Sequence, residues 1–315
     1  MQLKPDERFF LRFEFELRPQ RDKGVALPLR DTGEGLDVLT VLQDAVDQGT
    51  AVFQVKEGEE DYVRLTKIDI RARSNQVVLL FRRSSDGAAP IFEHRATRRL
   101  RRSDKREDEF KAYSAHLFLS LDEVMTPHRT HRAILEEVPG LGRTYIQELL
   151  RRTLRQEIYS YTDEKGEERE TYTIPRLNGV ASETLRDGIQ GGGINYIELV
   201  RRPRLDGLDT AGLIPRSERL RLSVKADRRT SFRGVANVKA WAQQRGWDEI
   251  RVQVETADER TRVVDISREA NASDVLFVRA ERVGRISPPL EECTDDVVDV
   301  LVARARRLLA ANEGW

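Results

Sequence analysis

Residues 8–18 read Arg-Phe-Phe-Leu-Arg-Phe-Glu-Phe-Glu-Leu-Arg. Phe9, Leu11, Phe13, Phe15 and Leu17 alternate with Arg12, Glu14, Glu16 and Arg18, the period-2 pattern of a strand with one buried face. Outward from this strand, Leu36–Val46 is apolar at 36, 38, 39, 41, 42, 45 and 46, the stripe of a helix entered through Gly33 and Gly35. Three strands follow at Ala51–Val55, Tyr62–Ala72 and Gln76–Arg82, the last two joined by the turn Arg73-Ser74-Asn75. A strand–helix–strand–strand–strand order predicts an α+β unit, with helices on one face of a largely antiparallel sheet.

Beyond Asp86 the apolar signal fades, and Arg95–Glu107 carries seven basic and two acidic side chains. Ala112–Leu121 then reads as a buried strand, 131–155 as two helices, and Asp163-Glu164-Lys165-Gly166 as the turn of a hairpin. Further strands are expected at Ile194–Arg201, Arg219–Lys225, Ile250–Glu255, Arg262–Ile266 and Asp274–Glu281, with a short helix at Val235–Arg245 closed by Gly246. The chain ends in an amphipathic stretch from about Leu290 to Leu309. Its acids come early (Glu291, Glu292, Asp295, Asp296) and its arginines late (Arg304, Arg306, Arg307), as a helix dipole prefers.

The fold class expected is therefore α+β with two domains, each a mostly antiparallel sheet with packed helices. The divisions are an N-terminal domain at 1–86, a basic linker or loop at 87–111, and a C-terminal domain at 112–315 with a helical hairpin at 131–155. A boundary within 176–193 is the other candidate.

At 315 residues the chain is long enough for two domains, and its 54 basic and 54 acidic residues cancel, so no overall positive field marks a polyanion-binding protein. Nine of the bases are lysines and 45 are arginines. Arginine's planar fork suits phosphate, but a GC-rich genome gives the same bias, so only local clusters carry information. The single Cys293 excludes a disulfide framework and a multi-thiolate zinc site. The longest aliphatic run, Val77–Phe81, is too short to cross a bilayer, and Met1–Arg8 lacks a basic-then-apolar leader. The expectation is a cytoplasmic bacterial protein with no membrane partner.

One motif carries a mechanism. Ile134–Arg152 (ILEEVPGLGRTYIQELLRR) resembles a helix-hairpin-helix element, in which a Pro-Gly-aliphatic-Gly corner joins two helices. The resemblance implies sequence-independent DNA binding through backbone phosphates. Gly140 and Gly142 would offer backbone amides at the positive end of the second helix, and Leu141 would anchor the corner. Arg143, Arg151 and Arg152 would contact phosphates. The alternative is an ordinary two-helix corner whose glycines only make the turn. Further basic tracts, with Arg98, Arg99, Arg101 and Arg102 in one and Arg228 and Arg229 in another, would extend the surface if the fold gathers them.

Catalytic signatures are sparse. No Gly-Lys-Ser/Thr occurs, and Gly191-Gly192-Gly193 leads into a strand rather than a helix. His128 and His131 lack partners for a metal set and read as solvent-facing or capping, while His116 reads as a satisfied core residue. The one Glu-x-Lys, Glu109-Phe110-Lys111, could join Asp69 in a metal-dependent nuclease. Ser114–Leu121, Arg132–Arg152 and Ala272–Val283 together resemble uncharacterised proteins of bacterial prophages and defence islands, which implies an antiphage role. The leading expectation is nucleic-acid binding, DNA rather than RNA, without a cofactor or evident catalysis. The alternatives are an assembly subunit that recruits a protein partner or its own copy through its C-terminal helix and exposed strand edges, and the nuclease.

Overall fold

The computed structural model describes every residue except 1–2, 22–23, 34, 87–90, 94–96, 104–105, 107, 126–128, 164, 185–192, 202–217, 224–236, 243, 248, 256–260, 266–275, 279 and 312–314. It divides into two compact units: Met1–Val180 with Arg279–Trp315, and Ala181–Val278. All strand pairings among the described residues are antiparallel.

The first unit runs β1 (Glu7–Pro19), α1 (Val38–Asp47), β2 (Val52–Gln54), β3 (Asp61–Arg71), β4 (Gln76–Ser85), β5 (Ile91–Glu93), β6 (Leu100–Arg102), β7 (Lys111–Met125), β8 (Arg129–Glu136), α2 (Arg143–Arg155), β9 (Tyr159–Thr162), β10 (Glu168–Thr171) and β11 (Thr173–Gly179). The second unit holds β12 (Ala181–Thr184), β13 (Gly193–Arg201), β14 (Glu218–Ser223), β15 (Glu249–Glu255), β16 (Thr261–Asp265) and β17 (Leu276–Val278). The chain then returns to the first unit as β18 (Ala280–Gly284) and α3 (Asp299–Ala310).

The main sheet has the order β11-β1-β8-β7-β4-β3-β2, with β18 also on β1. Along one edge β1 pairs with β18 over Glu7–Leu11 and then with β11 over Phe13–Pro19; along the other it pairs with β8. Helix α2 lies against α1, β2, β3 and β11. Helix α3 lies against β7 and β8, its Leu301, Val302, Ala305 and Leu309 buried with Phe10, Val78, Phe118 and Ile134. Sheet side chains are thus covered on both faces, and Val77–Phe81 are all fully buried. A strand covered on both sides reads as a continuous apolar run.

The same coverage changes the reading of β1. Its alternation is real, but Arg8, Arg12 and Glu16 are buried along with the phenylalanines. Each finds an opposite charge from another residue: Arg8 with Glu136 at 2.8 Å, Arg12 with Glu281 at 3.1 Å, and Glu16 with Arg18 at 2.7 Å.

Four expectations are corrected. Residues 129–136 form β8, not the first helix of a hairpin at 131–155. Lying between β1 and β7, β8 buries six of its eight side chains, and a short run buried on both faces has no period to tell strand from helix. The 87–111 segment is not a boundary between domains 1–86 and 112–315, because β4 and β7 pair continuously from Ser85 opposite Lys111 to Gln76 opposite Ser120. The observed division falls inside 176–193 instead, with the last 37 residues returned to the first unit. His131 is buried rather than solvent-facing, and its Nδ1 lies 3.1 Å from the carbonyl oxygens of both Ser120 and Asp122.

The fourth correction concerns the C-terminus, where helix starts only at Asp299. The acids before it form a strap across the sheet. Asp295 pairs with Arg82 at 2.5 Å, Asp296 with Lys67, and Asp299 with Arg71 at 2.6 Å. The strap is also tied by backbone: Ser114 N–H donates to the Glu292 carbonyl at 3.1 Å, and Leu290 N–H to Pro5 at 2.6 Å.

Under the strap lies a buried polar cluster. Glu136 accepts Arg8 Nε–H at 2.8 Å on one oxygen; the other takes the His116 backbone N–H at 3.2 Å and Nδ1–H at 2.6 Å. Val298 N–H donates to His116 Nε2 at 3.3 Å, which places the ring proton on Nδ1. Arg8 also donates to the Glu291 carbonyl at 3.0 Å. Burial by itself would raise the Glu136 pKa, but the His116 hydrogen bonds and the Arg8 charge hold it below its ordinary 4.5.

Glu136→Gln should lower stability by about 3–5 kcal/mol in urea unfolding, because it leaves the buried Arg8 charge without its carboxylate. Replacing both partners, as in Arg8→Met with Glu136→Leu, should recover much of that loss; a single substitution costing under about 1 kcal/mol would contradict the assignment. Burial holds the His131 pKa below 6.5 in the folded protein. A depressed folded value means its contribution is present above pH 6.5 and fades as the pH falls through the folded value, with Glu136 adding a further loss below 4.5. The thermal midpoint should therefore fall on acidification from pH 7 to 5, and His131→Phe should flatten that interval.

Candidate nucleic-acid interface

Strand β8 ends at Glu136, and six residues carry the chain to α2. Val138 and Leu141 plug the corner from inside, 3% and 0% exposed, and Leu141 N–H closes a turn on the Val138 carbonyl at 3.1 Å. Between them Gly140 adopts φ +81°, a left-handed conformation that a β-carbon disfavours. Gly142 is the N-cap of α2 in extended backbone, with no side chain to cap the first turn. Gly140, Gly142, Arg143 and Thr144 are all exposed. The corner therefore presents an uncapped helix N-terminus to solvent, the geometry that favours an anion.

Arg83 of β4 holds the corner in place. Its Nη1 donates to the Gly140 carbonyl, and its Nε and Nη2 bind Asp61 at 2.8 and 2.5 Å. The guanidinium also lies 4.8 Å from the centre of the Tyr145 ring on α2. The Asp61 hydrogen bond raises the Arg83 pKa, against the opposing effect of its burial, so the cation is permanent. A β-carbon on Gly140 would meet Arg83 Nη1 at 3.3 Å, whereas one on Gly142 would meet nothing within 4 Å.

Ribbon β5–β6 springs from the same end of the sheet. Arg83 stands two residues before the end of β4, at Ser85 opposite Lys111, and the chain between those two residues pairs Ile91 with Arg102, Phe92 with Arg101 and Glu93 with Leu100. Arg98, Arg99 and Arg101 are exposed on it, as is Leu100. The fold thus brings the glycine corner and the first basic tract to one end of one sheet. Arg228 and Arg229 lie outside the described residues.

The α2 arginines are placed differently. Arg143 Nη1 reaches back to the Leu177 carbonyl at 3.4 Å. Arg151 and Arg152 both bind Glu148, at 3.0 and 2.6 Å, and Arg152 also lies over the Phe53 ring. The Arg151 hydrogen bond, helped by Arg152, lowers the Glu148 pKa, so this cluster carries one net positive charge rather than two. Eight residues of helix separate Arg151 from Arg143, about 12 Å, so the pair does not share the corner's phosphate position.

The nuclease set does not assemble. Lys111 stands opposite Ser85, whereas Asp69 stands opposite Val78, which faces Phe118 on β7. That is seven residues along β7, about 23 Å. Asp69 is bonded to Arg71 at 2.8 Å, Glu109 accepts from the Arg106 backbone at 3.0 Å, and Lys111 faces the Tyr113 ring. Among the described residues no group of three or more His, Cys, Asp or Glu side chains is placed to hold a metal. Nor is the apolar face of α3 free to recruit a partner, since it is buried on its own sheet.

Sequence reasoning missed Arg83, Asp61 and Tyr145. Their positions are 22 and 62 residues apart along the chain, and only the pairing of β3 with β4 and the packing of α2 unite them. Among the described residues no helix is long and apolar enough to cross a membrane. No protein-family model and no curated protein matches the chain.

Proposed function

We propose that this protein binds duplex nucleic acid through its phosphate backbone, at the end of the main sheet that carries ribbon β5–β6 and the N-terminus of α2. The observation that carries the reading is this juxtaposition: an uncapped helix N-terminus at Gly142, its corner held by Arg83 in an ion pair with Asp61, and Arg98, Arg99 and Arg101 exposed on a ribbon rooted two residues away. Backbone amides and arginines contact phosphates without reading sequence, so binding is sequence-independent. The major groove of B-form DNA admits a two-stranded ribbon, whereas that of A-form RNA is too deep and narrow, so DNA is the preferred duplex. The protein acts by binding, and the likeness to prophage and defence-island proteins sets that binding in an antiphage context.

Fluorescence anisotropy with a labelled duplex tests this. Affinity should fall linearly on logarithmic axes as salt rises, by about 0.9 log unit per phosphate contact for each tenfold increase. Replacing Arg98, Arg99 and Arg101 together by alanine should flatten the slope by about two to three units. Gly142→Glu places a carboxylate at the helix N-terminus without backbone strain. It should weaken DNA binding about tenfold while leaving the thermal midpoint in place. Salt-independent binding, or wild-type affinity in both variants, would overturn the reading.

A further inference from the structure

Four cations of the main sheet meet the acids of the strap in chain order. Glu292 lies 4.0 Å from Lys111, Asp295 binds Arg82 at 2.5 Å, Asp296 binds Lys67, and Asp299 binds Arg71 at 2.6 Å. Along β4, Lys111 stands opposite Ser85, Arg82 is three residues further, Lys67 stands opposite Leu80 and Arg71 opposite Gln76. Arg82, Lys67 and Arg71 are thus about 10, 17 and 30 Å along the sheet from Lys111. Lys111 opens β7 at the root of ribbon β5–β6, so this row of charge starts where the exposed arginines of the proposed interface stop.

The acids lie outermost. The Asp295, Asp296 and Glu292 side chains are 93%, 78% and 57% exposed, against 26%, 46% and 37% for Arg82, Lys67 and Lys111. Exposed ion pairs are weak in water and are screened further by salt. The strap itself is fixed by other means. Ser114 N–H donates to the Glu292 carbonyl, Thr294 N–H to Ser114 Oγ at 2.9 Å, and Val298 N–H to His116 Nε2. None of these bonds uses an acidic side chain, so the carboxylates can swing aside while the strap stays in place.

Asp299 differs from the other three. It stands in the first turn of α3, where the helix dipole favours a negative charge, and Arg71 keeps a second partner in Asp69. The exchangeable set is therefore Glu292, Asp295 and Asp296 over Lys111, Arg82 and Lys67. Carboxylate and phosphate oxygens compete for the same guanidinium fork and the same ammonium group. A polyanion lying along this face would have to displace three carboxylates already in line.

We propose that the strap is a built-in competitor of the duplex, autoinhibiting it. Its Glu292, Asp295 and Asp296 carboxylates occupy the phosphate positions of a cationic strip, Lys111, Arg82 and Lys67, that continues the ribbon's surface. The proposal rests on the duplex-binding reading above, and it adds a control on how many phosphates that surface can reach. With the acids in place the duplex meets the ribbon and the corner alone; with them neutralised it gains the strip.

Anisotropy with the same labelled duplex and the full chain tests this. Glu292→Gln with Asp295→Asn and Asp296→Asn should tighten binding about tenfold or more and steepen the salt slope by about two to three units, one for each phosphate gained. Adding Lys67→Gln and Arg82→Gln to that variant should take back about two of those units. A control with the same change in net charge, Asp44→Asn with Glu168→Gln and Glu170→Gln on exposed positions of α1 and β10, should keep the wild-type slope. A strap variant with the wild-type slope would overturn the proposal, and a lowered thermal midpoint beside it would show that the pairs only fasten the strap. An equal steepening in the control would overturn it as well. The ribbon variant separates the two readings: if replacing Arg98, Arg99 and Arg101 flattens the slope and neutralising the strap changes nothing, only the autoinhibition fails. Salt-independent binding of the wild type removes both.

Discussion

A charged pair buried where three strands meet constrains the rest of the molecule. Arg8 on β1 and Glu136 on β8 are 4% and 3% exposed, and His116 on β7 bridges Glu136 to the backbone at the start of α3. Removing charges from water is costly unless every lone pair and proton is met. Here they are met only if β1, β8 and β7 keep their register and the strap crosses above them. A slip of one residue in β8 would turn Glu136 to the other face of the sheet and leave Arg8 buried alone. The cluster therefore couples residues near both chain ends, and it explains why 279–315 belong to the first unit although 181–278 intervene.

That coupling also accounts for much of the charge. Arg71, Arg82 and Lys67 meet the acids of the strap, Arg12 and Arg132 flank Trp315, and Arg83 is bound to Asp61. A protein with balanced charge can spend its arginines on internal pairing and still leave a few cations in chosen places. What matters for an anionic ligand is position. At the proposed interface the exposed arginines lie on ribbon β5–β6, beyond the strands in which Arg83 is paired with Asp61.

Much of the framework was legible from periodicity. The alternation at 9–17, the stripe at 36–46 and the runs at 62–72 and 76–82 appear as β1, α1, β3 and β4, within a few residues of their expected limits. Gly246, expected to close a helix, has φ +69° after the helical residues 237–242. The candidate corner was legible in part: the glycines and the second helix are where the motif suggests, but its first half is a strand. Arg83 was not legible, because nothing in Gln76–Ser85 distinguishes an arginine that reaches across to α2 from one that faces water.

The amino-acid order alone determined which segments could bury an apolar face, because the spacing of side chains along a strand or helix is a local property of the backbone. It determined where the chain turns tightly, through glycines and asparagines able to take left-handed backbone. Only the tertiary structure decided that Ile134–Glu136 is strand, since apolar runs covered on both sides follow whichever neighbours offer hydrogen bonds. Only it decided that the acids at 291–296 are a strap rather than a helix start, because the partners of Asp295 and Asp296, Arg82 and Lys67, lie more than two hundred residues away. Electrostatic pairing depends on distance in space, and chain order does not contain that distance until the sheet has closed.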